Sequence, residues 1–186
     1  MFDRLLRRGR SEGDIAARLY GAIVAQARHP VFYERFGVAD TVTGRFEMVV
    51  VHLALVVDRL QGSSGDPALA QAVFDVFCVD MDRSLRELGI GDLGVPRRMK
   101  EMGEAFYGRA RVYRESLAAG DRAALAGALH RNVLGSGAGD ATALADYVAA
   151  SAVTLAGIAT ADVAAAPRFA DPVGFVPGAV GIGSTS

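Results

Sequence analysis

The sequence is poor in the residues that most often supply covalent cross-links or a strong overall charge. Among its 186 residues Cys78 is the only cysteine, so an internal disulfide bond cannot form, which agrees with a reducing compartment. Lysine and arginine (20 in total) nearly balance aspartate and glutamate (21), so the net charge of −1 creates no field that would attract nucleic acid or anionic lipid. No basic run accompanies exposed aromatic residues, which argues against a nucleic-acid partner.

Long hydrophobic runs are also missing. The longest, residues 48–57, is interrupted by His52 and is too short to cross a bilayer. The amino-terminal MFDRLLRRGRSEGD is basic and has no apolar stretch of the secretory type. We therefore expect a soluble, cytoplasmic protein, and its length predicts one domain with a sizeable core.

Helical periodicity accounts for the first third of the chain. The first ten residues are expected to form a mobile arm. Apolar residues then recur at helical spacing from Ser11 to His29, and Pro30 interrupts the pattern, which predicts a helix that ends there. The run from Phe46 to Leu60 is rich in valine and could be a strand. Its length of about 15 residues without a turn signal favours a buried central helix.

Two further helices flank a glycine-rich connection. The first is predicted at 66–88, with an N-cap aspartate followed by proline, and the second at 96–120, opened by proline and closed by glycine. Gly103 and Gly108 lie inside the second helix, where each costs about 1 kcal/mol relative to alanine. That cost predicts the close approach of a neighbouring helix.

The remaining patterns complete an all-α prediction. A short helix is expected from Arg122 to Leu134, and an Ala-rich helix extends to about Ala165. The tail from Pro167 is rich in proline and glycine and is predicted to be extended, either packed or disordered. We predict a single compact helical bundle of about six to seven helices, with a mobile arm at 1–10, a helical domain at 11–134, the Ala-rich helix packed on it at 135–165, and an extended tail at 166–186.

Residues suited to catalysis or metal binding are few. None of His29, His52 and His130 has a second ligand three or four residues away, and His52 is interpreted as a hydrogen-bonded core histidine. Cys78 falls on an apolar helical stripe, where a thiol is usually inert packing. No motif among them supports enzyme activity, and we expect no metal and no cofactor.

An acidic group on the predicted 66–88 helix is a second candidate for a metal site. It consists of Asp75, Asp80 and Asp82, but helical geometry points Asp80 away from the other two. A dinuclear carboxylate site would also need Glu-x-x-His pairs from several helices, and the sequence contains none.

Charged side chains concentrate on both sides of the glycine-rich connection. Three i, i+4 pairs are predicted among them, namely Asp82–Arg86, Arg83–Glu87 and Lys100–Glu104. Each such pair stabilises an exposed helix by only about 0.2 to 0.5 kcal/mol, so a solvated face is one interpretation. The other is a contact surface in which the aromatic pair at 106–107 adds an apolar anchor beside mixed charges.

One long segment resembles a known family. Residues 75–113, DVFCVDMDRSLRELGIGDLGVPRRMKEMGEAFYGRARVY, contain a D-M-D-x-x-L-R-E-x-G-x-G-D-L-x-V-P-x-x-M-K-x-M pattern followed by F-Y-G-R. This pattern resembles the signature of the ubiquinol–cytochrome c chaperone family. The upstream RHPVFYERFGVADTVTGRFEMVVVHLALVVDRL is similar to the opening helices of that family. The resemblance covers about residues 15–134.

The resemblance implies an all-helical, non-enzymatic assembly factor for the respiratory ubiquinol–cytochrome c reductase, the bc1 complex. Its implied partners are newly made cytochrome b or other bc1 assembly components, with a second assembly factor left open. The implied location is cytoplasmic, or peripheral at the inner membrane through the client, and the chain looks like a bacterial-type member. The alternative is a helical protein of respiratory-complex biogenesis that binds haem, quinone or lipid.

Combining the resemblance with the charge pattern gives candidate site residues. The client or partner surface is predicted to comprise Asp75, Asp80, Asp82, Arg83, Arg86, Glu87, Arg97, Lys100 and Tyr107. The hinge that places the two helices is predicted to comprise Gly89, Gly91, Asp92, Leu93 and Pro96.

Overall fold

A computed structural model describes residues 2–87, 89, 94–135 and 141–177, and every regular element in these ranges is helical. The all-α prediction is confirmed. The elements in chain order are α1 (Phe2–Ala27), α2 (Pro30–Glu34), α3 (Val42–Gln61), α4 (Pro67–Glu87), α5 (Val95–Ala119), α6 (Arg122–Leu129) with a π-helical turn (His130–Leu134), α7 (Ala141–Ala156), α8 (Thr160–Ala165) and a 3-10 turn (Pro172–Phe175).

Helix α3 forms the centre of the bundle, as its valine-rich sequence predicted. Helices α1, α4, α5 and α7 all pack against it. Residues on every side of α3 are buried, including Met48, Val50, Leu53 and Val56. Full burial of such a side chain stabilises the fold by about 1.5 to 3 kcal/mol, which explains why a helix this apolar occupies the centre.

Helix ends follow the local signals in the sequence. Asp66 Oδ1 accepts a hydrogen bond from the Leu69 amide at 3.0 Å, and Asp121 Oδ1 accepts one from the Ala124 amide at 2.9 Å. Gly120 ends α5 with a φ of 66°, a conformation that suits glycine. These caps confirm the predicted start of α4 and the predicted turn between α5 and α6.

Two predicted helix boundaries are wrong. Helix α1 begins at Phe2, well before the expected start at Ser11; the mobility of residues 1–10 stays a prediction. The Ala-rich segment is two helices, because α7 ends at Ala156 and α8 begins at Thr160. The Gly157 amide still bonds to the carbonyl oxygen of Val153 at 3.1 Å, after which the chain turns.

The glycines inside α5 do not serve close packing, so that prediction is wrong. A Cβ atom added at Gly103 or Gly108 would meet nothing within 4 Å. Close approach occurs instead at Gly44 in the first turn of α3, where a Cβ would lie 2.0 Å from the carbonyl oxygen of Ala39. There the chain before the helix folds back across its first turn.

The described part of the tail packs against the bundle. The Phe169 ring lies 5.0 Å from the His52 ring, and the Phe175 ring lies 6.1 Å from Tyr147, both edge-on. Pro172 is buried and Val176 is 9% exposed. Of the two states left open for the tail, residues 167–177 adopt the packed one.

A buried hydrogen-bond chain holds this region together and confirms the interpretation of His52. His52 Nδ1 lies 2.7 Å from the carbonyl oxygen of Met48, and its Nε2 lies 2.7 Å from the Tyr147 hydroxyl. Since a carbonyl only accepts, Nδ1 carries the proton and Nε2 accepts from Tyr147. The Ala170 amide donates to Ser151 Oγ at 3.2 Å, and Ser151 in turn hydrogen-bonds Tyr147, which connects the tail to the core.

Candidate functional site

The end of α4 and the start of α5 present an exposed, mixed-charge surface. Arg86 Nε donates to Asp82 Oδ2 at 2.7 Å within α4. In α5, Lys100 Nζ lies 3.8 Å from Glu104 Oε1 and Arg97 Nε donates to a carboxylate oxygen of Glu101 at 2.9 Å. Two of the three predicted i, i+4 pairs therefore form. Among the described residues no ion pair joins Arg83 to Glu87.

Most of the predicted surface residues lie on this exposed side, but Asp80 does not. Asp75 accepts a hydrogen bond from Gln71 at 2.7 Å and is exposed, as are Arg83 and Glu87. Asp80 instead faces α1, where its Oδ2 accepts a hydrogen bond from the Tyr20 hydroxyl at 2.8 Å. The structure therefore separates Asp80 from Asp75 and Asp82, as helical geometry predicted.

The predicted hinge is described only at its two ends. Gly89 follows α4 with a φ of 81°, a left-handed conformation that glycine adopts without strain. Pro96 lies in the first turn of α5, after Val95, where a missing amide proton leaves no hydrogen bond unmade. Gly91, Asp92 and Leu93 lie outside the described residues.

Tyr107 provides the exposed apolar part of this surface. Its side chain is 53% exposed, and its ring lies 5.2 Å from that of Phe74. Phe106 is fully buried and packs 4.9 Å from the same Phe74 ring. Of the two aromatic residues that were expected to form an anchor, only Tyr107 can reach a partner.

A groove of about 480 Å³ opens beside the charged surface, between α1, α3, α4 and α5. Sequence reasoning did not predict it, because its walls come from four separate helices. Its apolar lining includes Val24, Phe46, Val49, Met81, Leu85 and Met102. Tyr20 and Asp80 form one polar edge, while Arg28 and Arg45 form another. We call it the α1–α5 groove.

A buried ion pair lies at the inner side of this groove. Arg109 Nη2 donates to Glu47 Oε1 at 2.7 Å, joining α5 to α3. Glu47 is only 4% exposed and lines the groove. In the sequence, Glu47 follows Phe46 at the start of the valine-rich run, and Arg109 ends F-Y-G-R. Nothing in the local sequence indicated that these residues, 62 positions apart, would meet.

Burial shifts the pKa values of three groups in the bundle, of which Glu47 lines the groove. Loss of solvent raises the pKa of Glu47 to about 7, and the nearby Arg109 acts in the opposite direction. Burial also raises the pKa of the Cys78 thiol, which disfavours the reactive thiolate. At His52, burial lowers the pKa to about 4, so this imidazole is neutral at pH 7.

Metal-binding clusters and membrane-spanning helices are both absent from the described ranges of the chain. No group of three or more His, Cys, Asp and Glu side chains in this part of the chain is placed to hold a metal ion. In the same ranges no helix combines the length and apolar character needed to cross a membrane.

Comparisons with known proteins extend the resemblance that the central motif indicated. The structure described as "Crystal structure of the Cbp3 homolog from Brucella abortus" is similar over 93% of this chain and 98% of that chain, with 41% sequence identity and a TM-score of 0.82. No curated protein matches at a significant level. The family model described as ubiquinol-cytochrome C chaperone matches residues 34–169, a range that includes the Ala-rich α7 and α8 as well as the motif. The chain therefore belongs to the ubiquinol-cytochrome C chaperone family.

Proposed function

We propose that this protein is a non-enzymatic chaperone that binds newly made cytochrome b and assists assembly of the ubiquinol–cytochrome c reductase (bc1) complex. Family membership supports the assembly role, because the family match covers most of the chain, residues 34–169. The further steps, that the client is cytochrome b and that the protein acts at the inner membrane through it, are part of the proposal.

The described surface supports holding a client by contact. An apolar groove with two methionines lies beside exposed arginine and carboxylate side chains. Methionine side chains adapt to differently shaped apolar partners, and interfaces combine an apolar centre with a polar rim. A membrane-protein segment that has not yet packed against its neighbours exposes apolar surface of the kind that such a groove could cover.

The assembly role is tested in a strain that lacks this gene. We expect reduced cytochrome b and reduced assembled bc1 complex, measured by haem difference spectra and native gel electrophoresis, with restoration by the wild-type gene. Normal amounts of both in the deletion strain would remove the proposal.

The charged surface is tested by reversing two of its members without changing the net charge. D82K/R83E should reduce co-purification of cytochrome b with the tagged chaperone, because the charges at the end of α4 would no longer complement the client. The matched control is R122E/D146K, which reverses another exposed pair, 3.7 Å apart, on α6 and α7. Unchanged cytochrome b recovery with D82K/R83E, or equal loss with the control, would contradict this site assignment.

A further inference from the structure

The first turns of α1 concentrate positive charge that the net charge of the whole chain does not show. Residues 2–10 contain four arginines and one aspartate, so this segment has a net charge of +3. Because the whole chain has a net charge of −1, all the other residues together have a net charge of −4. The charge balance that argued against anionic lipid as a partner therefore does not apply to residues 2–10.

The same segment also has the sequence of an amphipathic helix. An α-helix turns by about 100° per residue, so Phe2, Leu5 and Leu6 fall on one face within about 100° of each other. All four arginines fall outside that face. Arg10 and Arg8 border it on opposite sides, at about 90° and 110° from its centre. An apolar face with cations along both borders is typical of a helix that lies in the interface of an anionic membrane.

The burial of α1 stops close to this segment. Ala16 is fully buried, whereas Glu12, about one turn earlier on the same side of the helix, is exposed. Gly13 is exposed as well, and both residues border a shallow depression of about 400 Å³ together with Val79 of α4. The continuous buried face of α1 therefore ends between residues 12 and 16.

Helix α4 also begins too late to accompany the first turn of α1. The two helices are parallel, since Tyr20 donates to Asp80 at 2.8 Å while Gly13 and Val76 border the same depression. Both pairs join a residue of α1 to one about 60 positions later. Pro67, the first residue of α4, is therefore level with about residue 7 of α1. The three apolar residues of the segment precede that level, and α8, which also packs against α1, has only six residues.

We propose that residues 2–10 of α1 bind the surface of an anionic membrane, with the apolar face in the interface and the arginines at the lipid headgroups. Anionic headgroups match the charge of the segment, and the acyl chains match its apolar face. A nucleic acid would engage the arginines through its phosphates and leave the apolar face without a partner. The inference goes beyond the proposed function, in which the client alone brings the protein to the membrane.

The charge requirement is tested by flotation of the full chain with lipid vesicles. The wild type should float with phosphatidylcholine vesicles that contain about 30% phosphatidylglycerol, and should stay behind with pure phosphatidylcholine. R4Q/R8Q should weaken binding at least about tenfold, since each basic residue near an anionic surface strengthens binding about fivefold. The matched control is R111Q/R114Q, which removes the same charge from exposed positions of α5 and should bind like the wild type.

The apolar face is tested separately from charge. L5Q/L6Q leaves the net charge unchanged and should weaken binding to the anionic vesicles at least about tenfold. Because the chain has no tryptophan, F2W adds a single reporter. Its emission should shift to shorter wavelength with anionic vesicles and should be quenched by brominated phosphatidylcholine within them. V153W, at a position of α7 that is 73% exposed, is the control and should show neither change.

Several outcomes would overturn the proposal. They are equal binding to both kinds of vesicle, binding to neither, and binding that survives L5Q/L6Q. Emission of F2W at short wavelength without vesicles would show that this face packs against the bundle. A labelled DNA duplex that binds as tightly as the vesicles, with no shift in F2W emission, would identify a site for polyanions instead. Far-ultraviolet circular dichroism of each variant checks that the bundle is folded. The vesicle assay contains no cytochrome b, so its failure is distinct from failure of the assembly role in the deletion strain.

Discussion

Glu47 and His52 are expected to make opposite contributions to the pH dependence of stability. Burial raises the pKa of Glu47 from 4.5 to about 7, so its contribution is fully present below pH 4.5 and is lost as the pH rises to about 7. Burial lowers the pKa of His52 from 6.5 to about 4, so its contribution is fully present above pH 6.5 and is lost as the pH falls to about 4. In the wild-type chain the two slopes largely cancel between pH 4.5 and 6.5.

Single substitutions should expose each slope. Protonation changes the free energy of unfolding by about 1.4 kcal/mol per pH unit between the unfolded and folded pKa values. The difference between wild type and E47Q should therefore fall by about 3 kcal/mol from pH 4.5 to 7. The difference between wild type and H52Q should rise by about 3 kcal/mol from pH 4 to 6.5.

Urea unfolding followed by far-ultraviolet circular dichroism, at half-unit steps from pH 4 to 8, measures both differences. Subtracting each variant from the wild type removes the contribution of every other titrating group. The double variant E47Q/H52Q serves as a control, since its profile should show neither slope. A flat or rising difference for E47Q would refute the conclusion that burial dominates over Arg109 at this carboxylate.

Three further predictions concern packing and the backbone. G103A and G108A should each raise the free energy of unfolding by about 1 kcal/mol in urea denaturation, because a Cβ meets nothing there; a loss of stability would reveal a contact that the fold does not show. G120A should instead lower it by about 1 kcal/mol, since that residue has a φ of 66°. Y147F should lower it by about 1 to 3 kcal/mol, because His52 Nε2 would lose its donor, and an unchanged midpoint would show that the hydroxyl is dispensable.

The sequence predicted those features that depend on local chemistry. The side chains of Asp66 and Asp121 each cap a helix by accepting a hydrogen bond from the amide three residues later, so both caps depend on nearby residues only. The apolar run of α3 likewise indicates a buried helix without any knowledge of its neighbours. The interpretation of His52 succeeded for the same reason. An imidazole inside an apolar helix must find hydrogen bonds, whichever elements supply them.

Features that depend on distant parts of the chain could not be predicted in this way. The pairing of Glu47 with Arg109 and the shape of the α1–α5 groove both require the relative placement of separate helices. The expectation for Gly103 and Gly108 failed because an unfavourable residue was taken to imply a packing role. A glycine inside a helix can pack against a neighbouring helix or face open space. A single sequence does not contain the distance between two helices, so it cannot distinguish these two cases.

The packed tail has a consequence for the order in which the protein can mature on the ribosome. Phe169 covers His52, and the Ala170 amide bonds to Ser151, so residues that follow α8 complete a core to which α1 also contributes. Synthesis is vectorial, and segments made first wait for those made last. A growing chain can form α1 to α5 early, but the middle of α3 around His52 stays open until the segment after α8 emerges. A chain that stops after α7 would thus leave the hydrogen-bond network of His52, Tyr147 and Ser151 without the residues that cover it.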